Sequence, residues 1–446
     1  MRISSRPPTV LGERLPVTLA DGRTVDHANL DYAATAPCLS AAASAVNDLL
    51  PWYASVHRGA GAASRRCTLA YEQARETITD FIGARADDHV IFTRNTTDAL
   101  NLLARALPAD TTVIGWAGEH HANLLPWARV LRLPVPAYPD DAVRALTATL
   151  AEADGPASQG PVLVAVTGAS NVTGEVWPIE ALARVAHRYG ARIAVDAAQL
   201  APHRQVSMAK SDVDYLALSG HKLYAPFGIG VLAGRADWLD AAEPYLAGGG
   251  ATAHVGDGDE VCWQVGPARH EAGTPNLLGA VALAAACDRI AAADRASLAG
   301  HEQALLSRLR RGLADVPGVA ELRMFPSYHD RVGIVSFAVA GFSATRVSEF
   351  LARHHGIGVR DGLFCAHPLA RHLLREASER LGQPLGDTAV RASIGLGTTN
   401  EHVERLIVAL RELVATASSR PRRSVAANDR ELNGRELAHP ALIAAA

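Results

Sequence analysis

A chain of 446 residues, 48% of them hydrophobic, can bury a large core and by its length should fold as two domains. Its formal net charge of -3 gives no electrostatic footprint for nucleic acid or an anionic membrane surface, and its longest apolar run, Leu277 to Cys287, is too short to cross a bilayer. The five cysteines (Cys38, Cys67, Cys262, Cys287, Cys365) are odd in number, widely spaced and form no CxxC, which argues against a disulfide framework and a zinc site.

The first residues, MRISSRPPTVLGERLP, are polar and proline-containing and lack the apolar core of a secretory signal, so a cytosolic protein is expected. From about residue 85 to 235, short apolar runs alternate with helical patterns. The runs are HVIFT (89–93), TVIGW (112–116), PVLVAV (161–166), ARIAVDA (191–197), VDYLAL (213–218) and GIGVLAG (228–234). Most lack polar alternation, as strands covered on both faces do. Between two of them, IEALARVAHRYG sets Ile179, Leu182, Ala186 and Tyr189 on one stripe, with Gly190 suited to end the helix. This βα repeat predicts a mostly parallel α/β sheet. After Gly300 the pattern changes, with VGIVSFAV (332–339) and RASIGLG (391–397) as strands of a smaller domain. The expected division is an N-terminal arm over 1–25, a large domain over 26–290, a small one over 291–417 and a flexible polar tail over 418–446.

Only two of the 43 cationic side chains are lysines, Lys210 and Lys222. Arginine can supply surface charge, but its guanidinium stays protonated and cannot act as an amine nucleophile. Lys210, in MAKSD, reads as part of a solvated turn. Lys222 instead sits on a turn between two apolar strands, where an idle ammonium is costly. In open α/β sheets ligands bind beyond the carboxyl ends of the strands, so the polar residues there are the candidates. After HVIFT comes RNTTDALN, where Thr96, Thr97 and free backbone amides could hold a phosphate; the plain alternative is a helix cap. After ARIAV comes Asp196, a buried carboxylate that needs a cationic partner, followed by Gln199. After TVIGW comes GEHHANLLPW. Its adjacent histidines cannot both face one metal and there is no HExxH, so a metal site is not expected; a histidine could lie flat on an aromatic cofactor. An amine, a buried acid, a phosphate turn and a histidine plate are together what pyridoxal phosphate requires.

At this point the sequence also resembles the class V branch of fold-type-I pyridoxal-phosphate enzymes, most closely the SufS-type cysteine desulfurases and selenocysteine lyases. The likeness runs from NLDYAATAP near residue 29 to TTNEHVERL near 406. It passes through VHRG (56–59), RNTTDALN (94–101), EHHANLLPW (119–127), SNVTGE (170–175), VDAAQ (195–199), SGHKLYAPFGIG (219–230), EAGTPN (271–276), VRDGLFCAHPL (359–369) and RAS (391–393). The resemblance implies a large domain with a mostly parallel seven-stranded sheet and a smaller α+β C-terminal domain. It implies that Lys222 bonds the cofactor, His120 lies over its pyridine face, Asp196 meets the ring nitrogen and Gln199 the ring hydroxyl. Thr97, Ser219 and His221, with Thr96 beside them, would hold the phosphate, and Thr274 would reach the phosphate of a second subunit, giving a homodimer with shared active sites. Asn171 would orient cofactor and substrate, and Arg391 would clamp the carboxylate of a small amino acid.

In this family Cys365 would accept the substrate's sulfur as a persulfide, leaving alanine, with Arg360 as a nearby cation and an acceptor protein to collect the sulfur. Two departures bear on that step. Leu363 and Phe364 stand where relatives carry polar, often histidine-containing residues, and an apolar flank disfavours a thiolate. The segment AHPLARHLLREASERLGQPLGDTAV (366–390) is also longer than in those relatives. The alternatives are a C–S β-lyase yielding pyruvate and ammonia, or a class V aminotransferase or epimerase, none of which needs Cys365. A non-catalytic protein of this fold would have lost cofactor positions, whereas Lys222, Asp196 and His120 are all present. An NAD dehydrogenase lacks its GxGxxG.

Overall fold

The computed structural model describes residues 7–152, 155, 159–258 and 260–418, so the polar stretch beyond Ser418 lies outside it. Seven strands form the main sheet: β1 (Asp88–Thr93), β2 (Thr112–Trp116), β3 (Val130–Leu133), β4 (Val162–Thr167), β5 (Arg192–Asp196), β6 (Tyr215–Ser219) and β7 (Gly230–Arg235). Their order across the sheet is β1-β7-β6-β5-β4-β2-β3. The pairs among β2 to β6 are parallel, and β7 runs antiparallel to both its neighbours, β1 and β6. Every residue of β2, β4 and β6 is buried, which is why these strands read as unbroken apolar runs.

The apolar runs account for six strands, and the seventh, β3, went unread. It lies on the sheet edge with Leu131 and Arg132 exposed, so VLRL has neither a continuous apolar run nor an alternating one. The helix Ile179–Arg188 forms as expected, burying Leu182, Ala183, Val185 and Ala186. Gly190 follows it at φ +70°, the left-handed conformation that closes a helix end.

A second sheet is wholly antiparallel, in the order β8-β9-β11-β10, from β8 (Val319–Leu322), β9 (Ile334–Val339), β10 (Arg360–Gly362) and β11 (Ala389–Ser393). Helices Arg295–Ala314, Ala344–His355 and Asn400–Ser418 contribute to its core, where Leu305, Leu309, Phe337, Leu351, Leu406 and Leu410 are buried. The strand expected over 391–397 stops at Ser393. Beyond it the backbone turns tightly over Tyr32: a Cβ on Gly395 would stand 2.0 Å from the Tyr32 ring. Among the described residues no helix is long and apolar enough to cross a membrane, and all five cysteines are free thiols.

A buried ion pair joins the loop after β4 to the segment before β9. Arg331 and Glu175, both about fully buried, meet at 2.6 Å, and Glu175 also accepts from Thr173 Oγ1 and from the backbone N–H groups of Met324 and Phe325. Between them, Gly174 at φ +75° leaves no room for a side chain, since a Cβ would lie 2.7 Å from the carbonyl oxygens of Val332 and Ile334. This clamp sets the loop that carries Asn171.

Candidate active site

The carboxyl ends of β1, β2, β4, β5 and β6 open on one cavity of about 350 Å³, a volume suited to a small molecule. It is lined by Thr96, Thr97, His120, Asn171, Asp196, Gln199, Ser219, His221, Lys222, Arg360, Cys365 and Arg391. Every candidate from the sequence is therefore present except Thr274, which is exposed and outside this cavity.

Lys222 lies on the short turn Gly220–Lys222 directly after β6. Burial pulls its ammonium down to about 8, outweighing the attraction of Asp196. A group at that value is about one-tenth free amine at pH 7, enough to act as a nucleophile or base. Asp196 ends β5, 5% exposed; its Oδ1 accepts from the Ala198 N–H at 3.0 Å, and Oδ2 has no hydrogen-bond partner among the described residues. Burial raises its carboxyl and the Lys222 charge opposes that. His120 caps the helical turn His121–Leu124, its Nδ1 accepting from the Ala122 N–H at 3.0 Å. Its proton therefore sits on Nε2. Burial and the nearby Lys222 depress it to about 3, and His221 is depressed to about 4 for the same reasons.

These two imidazoles give a signed pH dependence. The unfolded chain takes up protons at both sites as pH falls below about 6.5, whereas the folded protein does so only near 4 and 3. Their contribution is complete above about 6.5 and is lost as pH falls from there toward 4 and 3. Thermal unfolding across pH 7 to 4.5 should show a falling midpoint, and a His221→Gln variant should fall less steeply. Equal slopes would refute the assignment.

The helix Thr96–Ala106 starts at the cavity with Asn95 as its cap. The Thr96 N–H donates to Ser219 Oγ at 2.8 Å and the two hydroxyls meet at 2.7 Å, so Thr96 serves chiefly to fix Ser219. Thr97 remains exposed at the helix start. Gln199 donates to the Ala33 carbonyl at 2.8 Å. Arg391, on β11 and 4% exposed, donates Nη1 to the Asn171 carbonyl at 3.0 Å and approaches Asp31 at 3.4 Å; its Nε is buried without a partner. A buried donor left open in this way is suited to an incoming carboxylate. Asp31 and Thr35, which bonds His221 Nδ1 at 3.0 Å, belong to the site and escaped the sequence reading, although both lie within NLDYAATAP.

Cys365 and Phe364 both adopt left-handed backbone, at φ +54° and +55°. Asn171 Nδ2 donates to the Phe364 carbonyl at 2.7 Å, and the His121 N–H donates to the Cys365 carbonyl at 2.8 Å. The loop is pinned from both sides. Phe364 is buried under the Arg391 guanidinium, 5.2 Å from its ring centre, while Cys365 is exposed, and both line the cavity.

An amine of lowered basicity, a carboxylate with an open oxygen, a neutral ring and a helix start thus converge on one cavity, and these residues fit pyridoxal phosphate. Residues 28–406 match the family model described as aminotransferase class-V. The chain is 36% identical over 372 residues to a cysteine desulfurase of Dickeya dadantii, covering 81% of this chain and 85% of that one. It is 35% identical to one of Synechococcus elongatus, of which it spans 56%. Among solved structures it is similar to the cysteine desulfurase CsdA of Escherichia coli, with TM-score 0.74 and 31% identity over 87% of this chain and 95% of that one. A cysteine desulfurase of Thermococcus onnurineus also gives TM-score 0.74, at 32% identity over 87% and 94% of the two chains. The chain therefore belongs to the aminotransferase class-V family of fold-type-I, pyridoxal-phosphate-dependent enzymes.

Proposed function

We propose that this protein is a cysteine desulfurase that converts L-cysteine, or selenocysteine, to L-alanine and leaves the sulfur or selenium on Cys365. The observation that carries this reading is the pinned loop that presents an exposed thiol on the same cavity as Lys222 and Arg391. Lys222, His120, Asp196, Gln199, Thr97, Ser219 and His221 would hold the cofactor. When bound, it supplies the electron sink that stabilises negative charge at the substrate's α-carbon.

Arg391 binds the substrate carboxylate through its open Nε and the rest of its fork, with Arg360 adding positive charge at the mouth. Asn171 holds the Cys365 loop in register with that carboxylate. The Lys222 amine removes the α-proton and returns it. The Cys365 thiolate forms an S–S bond to the substrate sulfur as the carbon–sulfur bond breaks, its electron pair passing to carbon. Protonation of that carbon gives alanine, and Cys365 is left as a persulfide.

The active species would be a cytosolic homodimer in which the exposed Thr274 reaches the partner subunit's cofactor phosphate. A separate acceptor protein would collect the sulfur. The deciding experiment supplies the loaded protein with L-cysteine and a reductant and identifies the carbon product. Alanine in step with sulfide supports the reading, whereas pyruvate and ammonia would establish a β-lyase. In the same assay Cys365→Ala should lower alanine formation by at least about 10²-fold while leaving the cofactor's absorbance unchanged.

A further inference from the structure

Five acids are buried among the described residues: Asp98, Glu119, Glu175, Asp196 and Asp214. Asp98 pairs with Arg94, Glu175 with Arg331, Asp214 with His187 and Arg235, and Asp196 feels Lys222. Glu119 alone faces no cation. It is 1% exposed, it does not line the cavity, and both its oxygens meet neutral donors: the Thr167 N–H at 3.1 Å and Asn123 Nδ2 at 2.9 Å.

We propose that Glu119 is a positioning residue of this site: tied to Thr167 and Asn123, it anchors the turn carrying His120 and, lacking any cation of its own, adds no second negative charge beside Asp196. The inference rests on the cofactor reading of the cavity. Thr167 closes β4 in register with Asp196 on β5, so Glu119 is fastened to the residue directly beside the acid that would meet the cofactor's ring nitrogen. Asn123 lies in the turn that His120 caps, so the same carboxyl ties that turn to the sheet.

Two buried carboxyls held at paired strand ends, with no cation for one of them, cannot both ionise cheaply. Burial pushes Glu119 up to about 8, and the Asp196 charge acts in the same direction. The titratable groups on its own turn are His120 and His121, both pushed down first by burial, with Lys222, His121 and Arg391 also acting on His120 and His367 on His121; Lys222 acts on Asp196 as well. The helix packed over the turn, Thr96–Ala106, contributes apolar residues, Leu102 and Leu103, alongside Ala122 and Trp127. Asn123 Oδ1 is buried without a partner, so a proton on Glu119 has an acceptor one amide rotation away.

The test compares the loaded protein with Glu119→Gln, a neutral isostere, and Glu119→Ala, which removes the anchor. At pH 6.5 the infrared difference between wild type and Glu119→Gln should contain the carbonyl stretch of a buried protonated carboxyl, fading as pH rises through about 8. The bound cofactor's absorbance should show a step in that range in wild type and none in Glu119→Gln. Glu119→Gln should keep kcat within about twofold at pH 7, and Glu119→Ala should lose about tenfold in kcat with KM little changed. Absence of the carboxyl band at pH 6.5, or a Glu119→Gln variant as impaired as Glu119→Ala, overturns the proposal. If Glu119→Ala does not fold, the band and the absorbance step decide alone. The band is read without substrate, so failure to form alanine counts against the desulfurase reading and not against this one.

Discussion

Replacing Lys222 by alanine is expected to abolish turnover, by at least about 10⁴-fold. The ammonium gains nothing from its place in the fold: burial disfavours it more than Asp196 favours it, which is why its value falls to about 8. Lys222→Arg should fail as completely, because a guanidinium stays protonated and offers no free amine. Borohydride reduction followed by mass spectrometry should find the cofactor's mass on Lys222 in wild type and nowhere on Lys222→Ala. Lys210→Ala, at an exposed position, serves as the control with activity unchanged. Activity surviving Lys222→Ala within tenfold would remove Lys222 from the chemistry.

The second large effect is on stability. Arg331→Met should destabilise the protein by about 3–5 kcal/mol, because it strands the Glu175 carboxylate with no countercharge. Glu175→Gln should cost less, since its amide oxygen can still accept from the Met324 and Phe325 N–H groups. The double variant should be more stable than the sum of the two losses predicts, as neither charge is then left unpaired. Denaturant unfolding of the four proteins measures this. A loss below about 1 kcal/mol for Arg331→Met would show that the pair is not what joins the β4 loop to β9. Because Asn171 lies on that loop, Arg331→Met should also raise KM for the amino-acid substrate.

The parallel sheet was legible because strands buried on both faces have only one composition open to them, and Thr96, Thr97, Asp196, Gln199 and Lys222 followed from looking where such strands end, whereas Cys365, Asn171 and Arg391 came from the family resemblance. The edge strand β3 was not, since half-exposed Leu131 and Arg132 leave no pattern. The strand expected to 397 was cut short at Ser393 by a contact with Tyr32, some 360 positions earlier in the chain, that no local window can contain. Asp31 and Thr35 were missed for a related reason: they enter the site from a segment with no strand or helix signal of its own. Glu119 was visible in EHHANLLPW, yet only its burial and its two neutral donors separate it from an ordinary surface acid. The flank of Cys365 shows the same limit from the other side. Leu363 and Phe364 read as an apolar flank that disfavours a thiolate, and no sequence pattern announces the two consecutive left-handed residues, neither of them glycine, that bury Phe364 while leaving Cys365 exposed.

On the proposed reading, that loop also bears on how the sulfur would leave. With the carbonyls on either side of its thiol tethered to Asn171 and His121, Cys365 has the swing of one side chain and no more. Sulfur held there would stay at the cavity rather than be ferried across the surface on a long arm. On the desulfurase reading, whatever collects the sulfur would have to come to Cys365, because a loop pinned at both carbonyls cannot carry it outward.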